Sequence, residues 1–290
     1  ACGLVIFSYL NAILTGLLTA AGNSRTPFIV NVAGLVFNVV LDPVLIFGIG
    51  PFPELGVSGA AAATVTAQAL VSLLFFKAVL REKVLFPHLR LWVLVPVKVW
   101  REIVRIGVPS AVQNLIYAGI SMILTRLITG WGDLAVAAQR VGSQIESVSW
   151  MVGDGFSAAV NAFLGQNYGA KRYDRVRRGY FCAIAMTAAW GLCTTFLLIG
   201  MARPLFSIFL QEEEVMAIGV NYLRIVGLSQ MFMMVEQTSI GAFSGLGRTL
   251  YPSIVSVTFT SARIPVAVLL SSVMGLSGIW WALSISSMVK

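Results

Sequence analysis

Charged residues are scarce in this chain. They make up 11% of its 290 residues, whereas 58% of the residues are hydrophobic and the mean hydropathy is +0.86. About a quarter of the residues in a soluble domain are charged, so the composition excludes a soluble globular protein. The apolar segments are also too long, and alternate too little, for the strands of an outer-membrane barrel. The chain is therefore predicted to be an all-α polytopic membrane protein.

Histidine and cysteine are scarce as well. The single histidine, His88, lies in a predicted loop, and Cys2, Cys182 and Cys193 stand in apolar surroundings without the spacing of a disulfide framework or a metal site. The sequence contains neither HExxH nor GxSxG. Little is left for histidine or metal-dependent catalysis, and we expect neither an enzyme nor a bound cofactor.

The net charge of +8 arises from Lys and Arg residues in alternate connections. Fourteen of the 20 Lys and Arg residues fall in these connections, at Arg25, 77–105, 171–178 and Arg248, while the intervening loops hold one, Arg203, beside several acids. Basic loops of membrane proteins stay in the cytoplasm. The pattern predicts a multi-pass protein in the lipid bilayer of the cell membrane, with its basic loops cytoplasmic and no nucleic-acid partner.

Nine apolar segments, each expected to form a helix, follow one another with short connections that often contain Gly or Pro. The exception is the amphipathic link Lys77–Arg105, which suits a helix lying along the membrane surface. The first segment starts abruptly and the last is short, so a partial chain is expected. The segments are 3–21, 27–49, 57–80, 104–129, 134–165, 179–202, 214–245, 250–272 and 275–289.

Two parts of the chain repeat each other. GLLTAAGNSRTPFIV, which begins at Gly16, matches GAFSGLGRTLYPSIV, which begins at Gly241. GVSGAAAA from Gly56 matches GLSGIWWA from Gly275, at a slightly smaller offset in residue number. The loop charges give both copies the same direction through the membrane, and parallel repeats of this kind are typical of transporters that handle substrate between two halves. If each copy has six helices, the second begins near Val99 and the first lacks about three.

Polar side chains interrupt the second apolar segment. Asn31, Asn38 and Asp42 fall within an arc of about 40° on a helix. Pro43 leaves a carbonyl near residue 39 without its N–H donor. A carboxylate is costly at mid-membrane unless it faces protein or water, so the group is predicted to form half of a proton or cation site. The alternative is that the asparagines join helices and Asp42 lies near the outer interface.

A polar stripe runs along the fifth segment. Glu146, Asp154 and Asn161 lie with several serines in an arc of roughly 100°. Hydrogen bonds between helices explain the serines, whereas the two carboxylates are candidates for a functional site. An ion pair of Glu146 with Arg140 or Arg126 would instead make Glu146 structural.

The seventh and eighth segments add further polar residues. Glu236 and Gln237 lie among residues that repeat at helical spacing, and Glu236 has no basic neighbour in sequence. Arg263, which matches Asn38 in the repeat, could supply its partner.

The helix that opens the second half carries Asn114 and Tyr117. With Trp150, Tyr117 could offer an aromatic surface to a flat cation, and the alternative is ordinary packing.

Six stretches stand out when the chain is considered as a whole. They are GNSRTP, LDPVLIFG, LGVSGAAAATVTAQ, GVPSAVQNL, AVAAQRVGSQIESVSWMVGDGFSAAVNAFLGQNYGAKR and GAFSGLGRT. Together they resemble the multidrug and toxic compound extrusion (MATE) family, and the resemblance covers all 290 residues. The resemblance implies a two-lobe bundle of parallel six-helix repeats, of which this chain holds helices four to twelve. Residues 1–80 would be the remainder of the N-lobe, 81–98 a cytoplasmic link, and 99–290 the C-lobe with its last helix cut.

The resemblance also implies site residues. In the family, an Asn and an Asp of the fifth helix join an Asp of the first and a Thr of the sixth in an H⁺ or Na⁺ site. Asn38 and Asp42 match the fifth-helix pair, Thr64 is the expected threonine, and Na⁺ would bind at Asp42 and Asn38. Some relatives carry a carboxylate on the seventh helix, where this chain has Tyr117. Glu236 lies three residues from a tenth-helix position that some members use.

The function implied is secondary active efflux of lipophilic or cationic small molecules by alternating access, in a monomer driven by H⁺ or Na⁺. Asp42 would couple the ion, with Asn38 and Thr64 shaping its oxygen cage. The residues expected to line the substrate cavity are Asp154, Glu236, Gln237, Asn161, Tyr117 and Asn114.

Two alternatives remain open. A lipid-linked oligosaccharide flippase of the same superfamily would line its cavity with basic residues, and here only Arg126, Arg140 and Arg263 lie well inside segments. An intramembrane aspartyl protease would use Asp42 and Asp154 as its dyad.

Overall fold

The computed structural model describes residues 5–50, 53–81 and 96–290, and over these ranges every regular element is a helix. The all-α prediction is therefore confirmed for the described part of the chain. The helices are α1 Val5–Ala20, α2 Arg25–Phe47, α3 Gly56–Arg81, α4 Val97–Thr129, α5 Asp133–Gly169, α6 Tyr173–Gly200, α7 Ala202–Ser207, α8 Glu213–Gly227, α9 Gln230–Gly245, α10 Leu250–Met274 and α11 Leu276–Val289.

The helices follow the nine predicted segments closely. Each segment corresponds to one helix except 214–245, which the structure divides into α8 and α9, bent by 51°. The short helix α7 is additional. Helix α4 starts at Val97, inside the predicted link Lys77–Arg105, so the last nine residues of that link begin a long helix. Residues 82–95 of the link lie outside the described residues.

Helix length and composition identify an integral membrane protein. Among the described helices, α2, α3, α4, α6 and α10 are long and apolar enough to cross a membrane, and the bent pair α8–α9 is a sixth candidate if it forms one span. Helices α1 and α11 are apolar but shorter, with 16 and 14 residues. Large apolar side chains such as Leu115 and Phe196 are 74% and 73% exposed, as lipid-facing positions require. The total of nine spans stays a prediction.

The chain divides into two compact units, Ala1–Leu94 and Val95–Lys290. In the first unit, α3 packs against both α1 and α2. Leu18, Val30 and Phe75 form its buried core. The assignment of the segments to an N-lobe, a link and a C-lobe stays a prediction.

Helix α5 is central to the second unit, where it packs against α9, α8 and α6. Its contact with α9 is very close, because Gly241 and Gly245 lie on the backbone of Ser157 and Asn161. A Cβ atom at either glycine would overlap the carbonyl oxygen opposite. Small residues allow helix backbones to approach in this way inside a membrane, where packing drives association. Trp280 of α11 is fully buried in the main core of this unit.

The sequence repeat recurs in the backbone. The α1–α2 turn and the α9–α10 turn contain the same three hydrogen bonds at matched positions. Gly22 and Gly247, with φ of 88° and 68°, occupy the same place in the two turns. The donor and acceptor pairs are Ala21 to Leu17, Gly22 to Thr19 and Asn23 to Leu18 in the first turn, and Leu246 to Ala242, Gly247 to Ser244 and Arg248 to Phe243 in the second.

The helices after these turns also pack alike. A Cβ atom at Gly59 would overlap the carbonyl group of Leu45, and one at Gly278 would overlap that of Leu270. These four residues are matched by the same two offsets that align the sequence. The two copies therefore share a close glycine contact as well as a turn.

Candidate functional site

Asp42 and Asn38 lie on one face of α2 and are in contact. The Asn38 amide Nδ2 donates to Asp42 Oδ1 over 3.4 Å, and both side chains are half-buried. Pro43 follows directly within the helix, so the Val39 carbonyl lacks its usual helical donor. The predicted grouping of Asn38 and Asp42 on one helix face is confirmed, and their role in an ion site stays a prediction.

Thr64 is on α3 but makes a different contact. Its hydroxyl donates to the Ala60 carbonyl of its own helix over 3.0 Å, and the side chain is exposed. Over the described residues no hydrogen bond joins Thr64 to Asn38 or Asp42. A hydroxyl bonded to the preceding turn is the common resting state of threonine in a helix. Its role in the coupling site stays a prediction.

A polar contact in the first unit was not predicted from sequence. Asn11 is buried on α1, donates to the Gln68 carbonyl and to Gln68 Oε1 over 3.0 and 2.9 Å, and accepts from the Ser72 hydroxyl over 2.8 Å. These hydrogen bonds connect α1 to α3. The available signal was an asparagine in an otherwise apolar run, because a buried amide in a membrane helix requires partners.

The second unit encloses a cavity of about 400 Å³. One part of its wall is aromatic: the Tyr117 and Trp150 rings lie with centroids 6.2 Å apart and planes inclined by 53°. Asp154 of α5 and Arg263 of α10 also face the cavity. Several serines complete the polar lining, namely Ser121, Ser143, Ser147, Ser229 and Ser287.

A neighbouring cavity of about 340 Å³ shares Tyr117, Trp150, Asp154 and Arg263 with the first. Five of the six side chains predicted to line a substrate cavity border it, and they come from α4, α5 and α9: Asn114, Tyr117, Asp154, Glu236 and Gln237. The sixth, Asn161, is exposed on α5, away from both linings, and its backbone supports Gly245. The structure thus brings five of the six together.

Asp154 and Gln237 are joined across the α5–α9 contact. The Gln237 amide donates to Asp154 Oδ1 over 3.2 Å, and Asp154 is exposed towards the cavity. The close packing of the two helices at Gly241 brings these side chains within reach. One carboxylate oxygen of Asp154 is left for another donor.

Glu146 is buried and is held by three neutral donors. Oε1 accepts from Trp150 Nε1 over 2.9 Å and from Gln230 Nε2 over 2.8 Å, and Oε2 accepts from the Tyr222 hydroxyl over 3.0 Å. The alternative, an ion pair of Glu146 with Arg140 or Arg126, is therefore wrong, because both arginines are exposed whereas the acid is buried. The three donors solvate the carboxylate in place of a counter-charge.

Glu236 has an ion-pair partner that the sequence did not indicate. Its Oε1 lies 3.2 Å from Lys290 Nζ, and both side chains are largely buried. The suggested pairing with Arg263 is wrong, since that guanidinium donates to the hydroxyls of Ser286 and Ser287 on α11. Lys290 is far from Glu236 along the chain, beyond the range of helix-periodicity arguments.

Over residues 5–50, 53–81 and 96–290, no three His, Cys, Asp or Glu side chains lie close enough together to hold a metal ion. Asp42 and Asn38 alone supply three side-chain oxygens, two from the carboxylate and one from the amide. Na⁺ at that pair would need additional oxygen ligands.

Comparison with known proteins gives three findings. The MatE family model matches residues 109–269. A probable multidrug resistance protein NorM of Thermotoga maritima is 31% identical over 283 residues, which cover 93% of this chain and 58% of that protein. An FAD transporter of Shewanella oneidensis is 29% identical over 204 residues, which cover 69% of this chain and 44% of that protein.

Solved structures show the same fold. An outward-facing multidrug resistance transporter of the MATE family superposes with a TM-score of 0.87 at 21% identity, over 96% of this chain and 62% of that one. The chain thus spans about three-fifths of the length of that structure.

Proposed function

The chain belongs to the MatE family, and from this we propose that the intact protein is a secondary active exporter of lipophilic or cationic small molecules. Members of this family are transporters and not enzymes. The intramembrane protease alternative is therefore set aside.

The observation that carries the proposal is the cavity wall in the second unit. An aromatic pair, Tyr117 and Trp150, stands beside the carboxylate of Asp154 in a cavity of about 400 Å³. Drug-sized ligands occupy cavities of this size, and aromatic faces with a nearby carboxylate attract organic cations. The relatives named as multidrug resistance proteins support a drug-like small molecule as the cargo.

Asp42 is the proposed coupling acid, with Asn38 and Thr64 as its neighbours. Asp42 lies in a membrane-spanning helix, and its contact is a neutral amide, so a proton or Na⁺ can neutralise it. Binding of the ion would favour one arrangement of the protein and its loss the other, and export follows from this shift in population.

The flippase alternative receives less support. A cavity for a pyrophosphate-linked lipid would need several basic residues, and Arg126 and Arg140 are exposed and border neither cavity. Arg263 and Lys290 are the basic residues in the described linings. We place the protein in the cell membrane as a monomer, with its basic loops in the cytoplasm.

The test is energy-dependent efflux of a fluorescent cationic dye from cells that express the intact protein. We expect Asp42→Asn to abolish efflux, because an amide cannot bind and release a proton. Asp174→Asn, an exposed carboxylate at the start of α6, is the matched control and should export normally. Efflux that is equal in all three proteins would exclude Asp42 as the coupling acid, and no efflux by the wild type would overturn drug export.

Proton and sodium coupling are separated by the driving gradient. In proteoliposomes, a pH gradient and a Na⁺ gradient are imposed one at a time. Export that follows only one of them identifies the ion, and export that follows neither contradicts secondary active transport.

A further inference from the structure

Arg263 is a buried cation that faces the two cavities described above, of about 400 and 340 Å³. The residue is 7% exposed and lies on α10, an otherwise uncharged helix long enough to span a membrane. Its guanidinium donates to the Ser286 and Ser287 hydroxyls, the latter over 3.0 Å, and also lies beside Tyr117. All three contacts are neutral. A charge in such a place is costly, and in membrane proteins it commonly marks a ligand or ion pathway.

The acids around Arg263 are engaged elsewhere. Glu236 pairs with Lys290, Glu146 has three neutral donors, and Asp154 accepts from Gln237. In the described part of the chain, the ion pairs are Arg203–Glu213 and Lys290–Glu236, and neither includes Arg263. The guanidinium therefore retains its capacity to pair with an anion.

The internal repeat reverses the polarity at this position. The offset that pairs Gly22 with Gly247 also pairs Asn38 with Arg263 and Asp42 with Ala267. The first unit thus presents an amide and a carboxylate where the second presents a guanidinium and a methyl group. The matched positions thus carry groups suited to a cation in the first unit and a group suited to an anion in the second.

We propose that Arg263 binds the carboxylate of an amphoteric substrate, whose flat body lies against Tyr117 and Trp150 and whose cationic group faces Asp154. The inference rests on the proposed export function and specifies its substrate class. A guanidinium presents a planar fork of N–H donors that fits a carboxylate in two parallel hydrogen bonds. Arg263 and Asp154 border the same cavities, so one molecule can meet both charges.

The experiment compares two dyes that differ in one group. Rhodamine 19 carries a free carboxylate, and rhodamine 6G is its ethyl ester. Their dissociation constants are measured by fluorescence polarisation with the purified intact protein. We expect Arg263→Gln to weaken rhodamine 19 binding about ten- to hundredfold, the range for a charge-assisted hydrogen bond, and to leave rhodamine 6G binding unchanged. Arg263→Lys keeps the charge but not the planar fork of donors, so its affinity for rhodamine 19 should lie between those of the wild type and Arg263→Gln.

Arg126→Gln is the matched control, because this arginine is exposed on α4 and borders neither cavity. It should bind both dyes as the wild type does. Thermal unfolding without dye shows whether each variant is folded, and Arg263→Lys provides the comparison if Arg263→Gln is not. An equal loss for the two dyes would make Arg263 structural and overturn the proposal. Binding of rhodamine 6G but not rhodamine 19 by the wild type would overturn it while export stands, and binding of neither dye would overturn both.

Discussion

The Tyr222 hydroxyl of α8 donates to the Glu146 carboxylate of α5 over 3.0 Å, at a point where both residues are buried. The Tyr222 ring lies on Gly142, one turn before Glu146, where a Cβ atom would overlap it. The glycine therefore makes the space through which the hydroxyl reaches the acid. Gln230 of α9 supplies a second interhelical donor, so one carboxylate joins three helices.

Tyr222→Phe should destabilise the protein. The substitution keeps the ring and leaves Glu146 Oε2 buried without its donor, which costs about 1–3 kcal/mol. Thermal unfolding of the purified protein in detergent measures the loss as a lower Tm. Tyr251→Phe is the control, because that ring is 60% exposed and should unfold at the wild-type temperature. Equal Tm values for both variants would show that the hydroxyl contributes nothing.

Gly241→Ala should disturb the contact between α5 and α9. The added methyl group meets the Ser157 carbonyl oxygen, and the backbones must separate at a cost of about 1–3 kcal/mol. Gly155→Ala on α5 adds the same methyl group in open space and should be neutral or slightly stabilising. Unfolding temperatures compare the two, and a stable Gly241→Ala would contradict the close approach.

The turn between α9 and α10 needs a glycine. Gly247 has φ of 68°, so Gly247→Ala places a Cβ atom in the left-handed region and should cost roughly 1 kcal/mol. Gly200→Ala, at the end of α6 with no atom in the way, is the comparison. Gly22→Ala should cost as much as Gly247→Ala, because the two turns have the same hydrogen bonds. Unequal losses would show that the copies differ in energy despite their shared geometry.

The Glu236–Lys290 pair is best tested by a double-mutant cycle. Glu236→Gln and Lys290→Met each leave a largely buried charge without its partner, and each should destabilise the protein by several kcal/mol. The double variant should be more stable than the sum of the single losses predicts. The free energy of unfolding is measured by denaturant titration for the wild type, the two single variants and the double variant. Additive losses would mean that the two charges do not interact.

Hydropathy predicted the helices because each segment is independently apolar, and helical periodicity grouped Asp42 with Asn38 because residues four apart share a helix face. The partners of Glu146 could not be found in this way. Tyr222 and Gln230 follow it by 76 and 84 residues, and helix packing alone decides which side chains meet across such distances. Arg140 and Arg126 were the candidate partners nearer in sequence, but both are exposed.

The bend between α8 and α9 was missed for a related reason. Residues 214–245 form one predominantly apolar run, and hydropathy does not distinguish one long helix from two. The repeat was visible because glycine and proline recur at fixed offsets, and these are the residues on which turn geometry depends. Features that depend on local backbone geometry could thus be predicted from the sequence, whereas features that depend on tertiary contacts could not.

The matched turns at Gly22 and Gly247 also bear on how the two copies arose. A gene duplication explains why two segments so far apart in the chain keep the same three hydrogen bonds, while Asn11 in one copy has become Glu236 in the other, or the reverse. The turn geometry is thus the part that the two copies share, whereas the ionisable groups at matched positions differ between them.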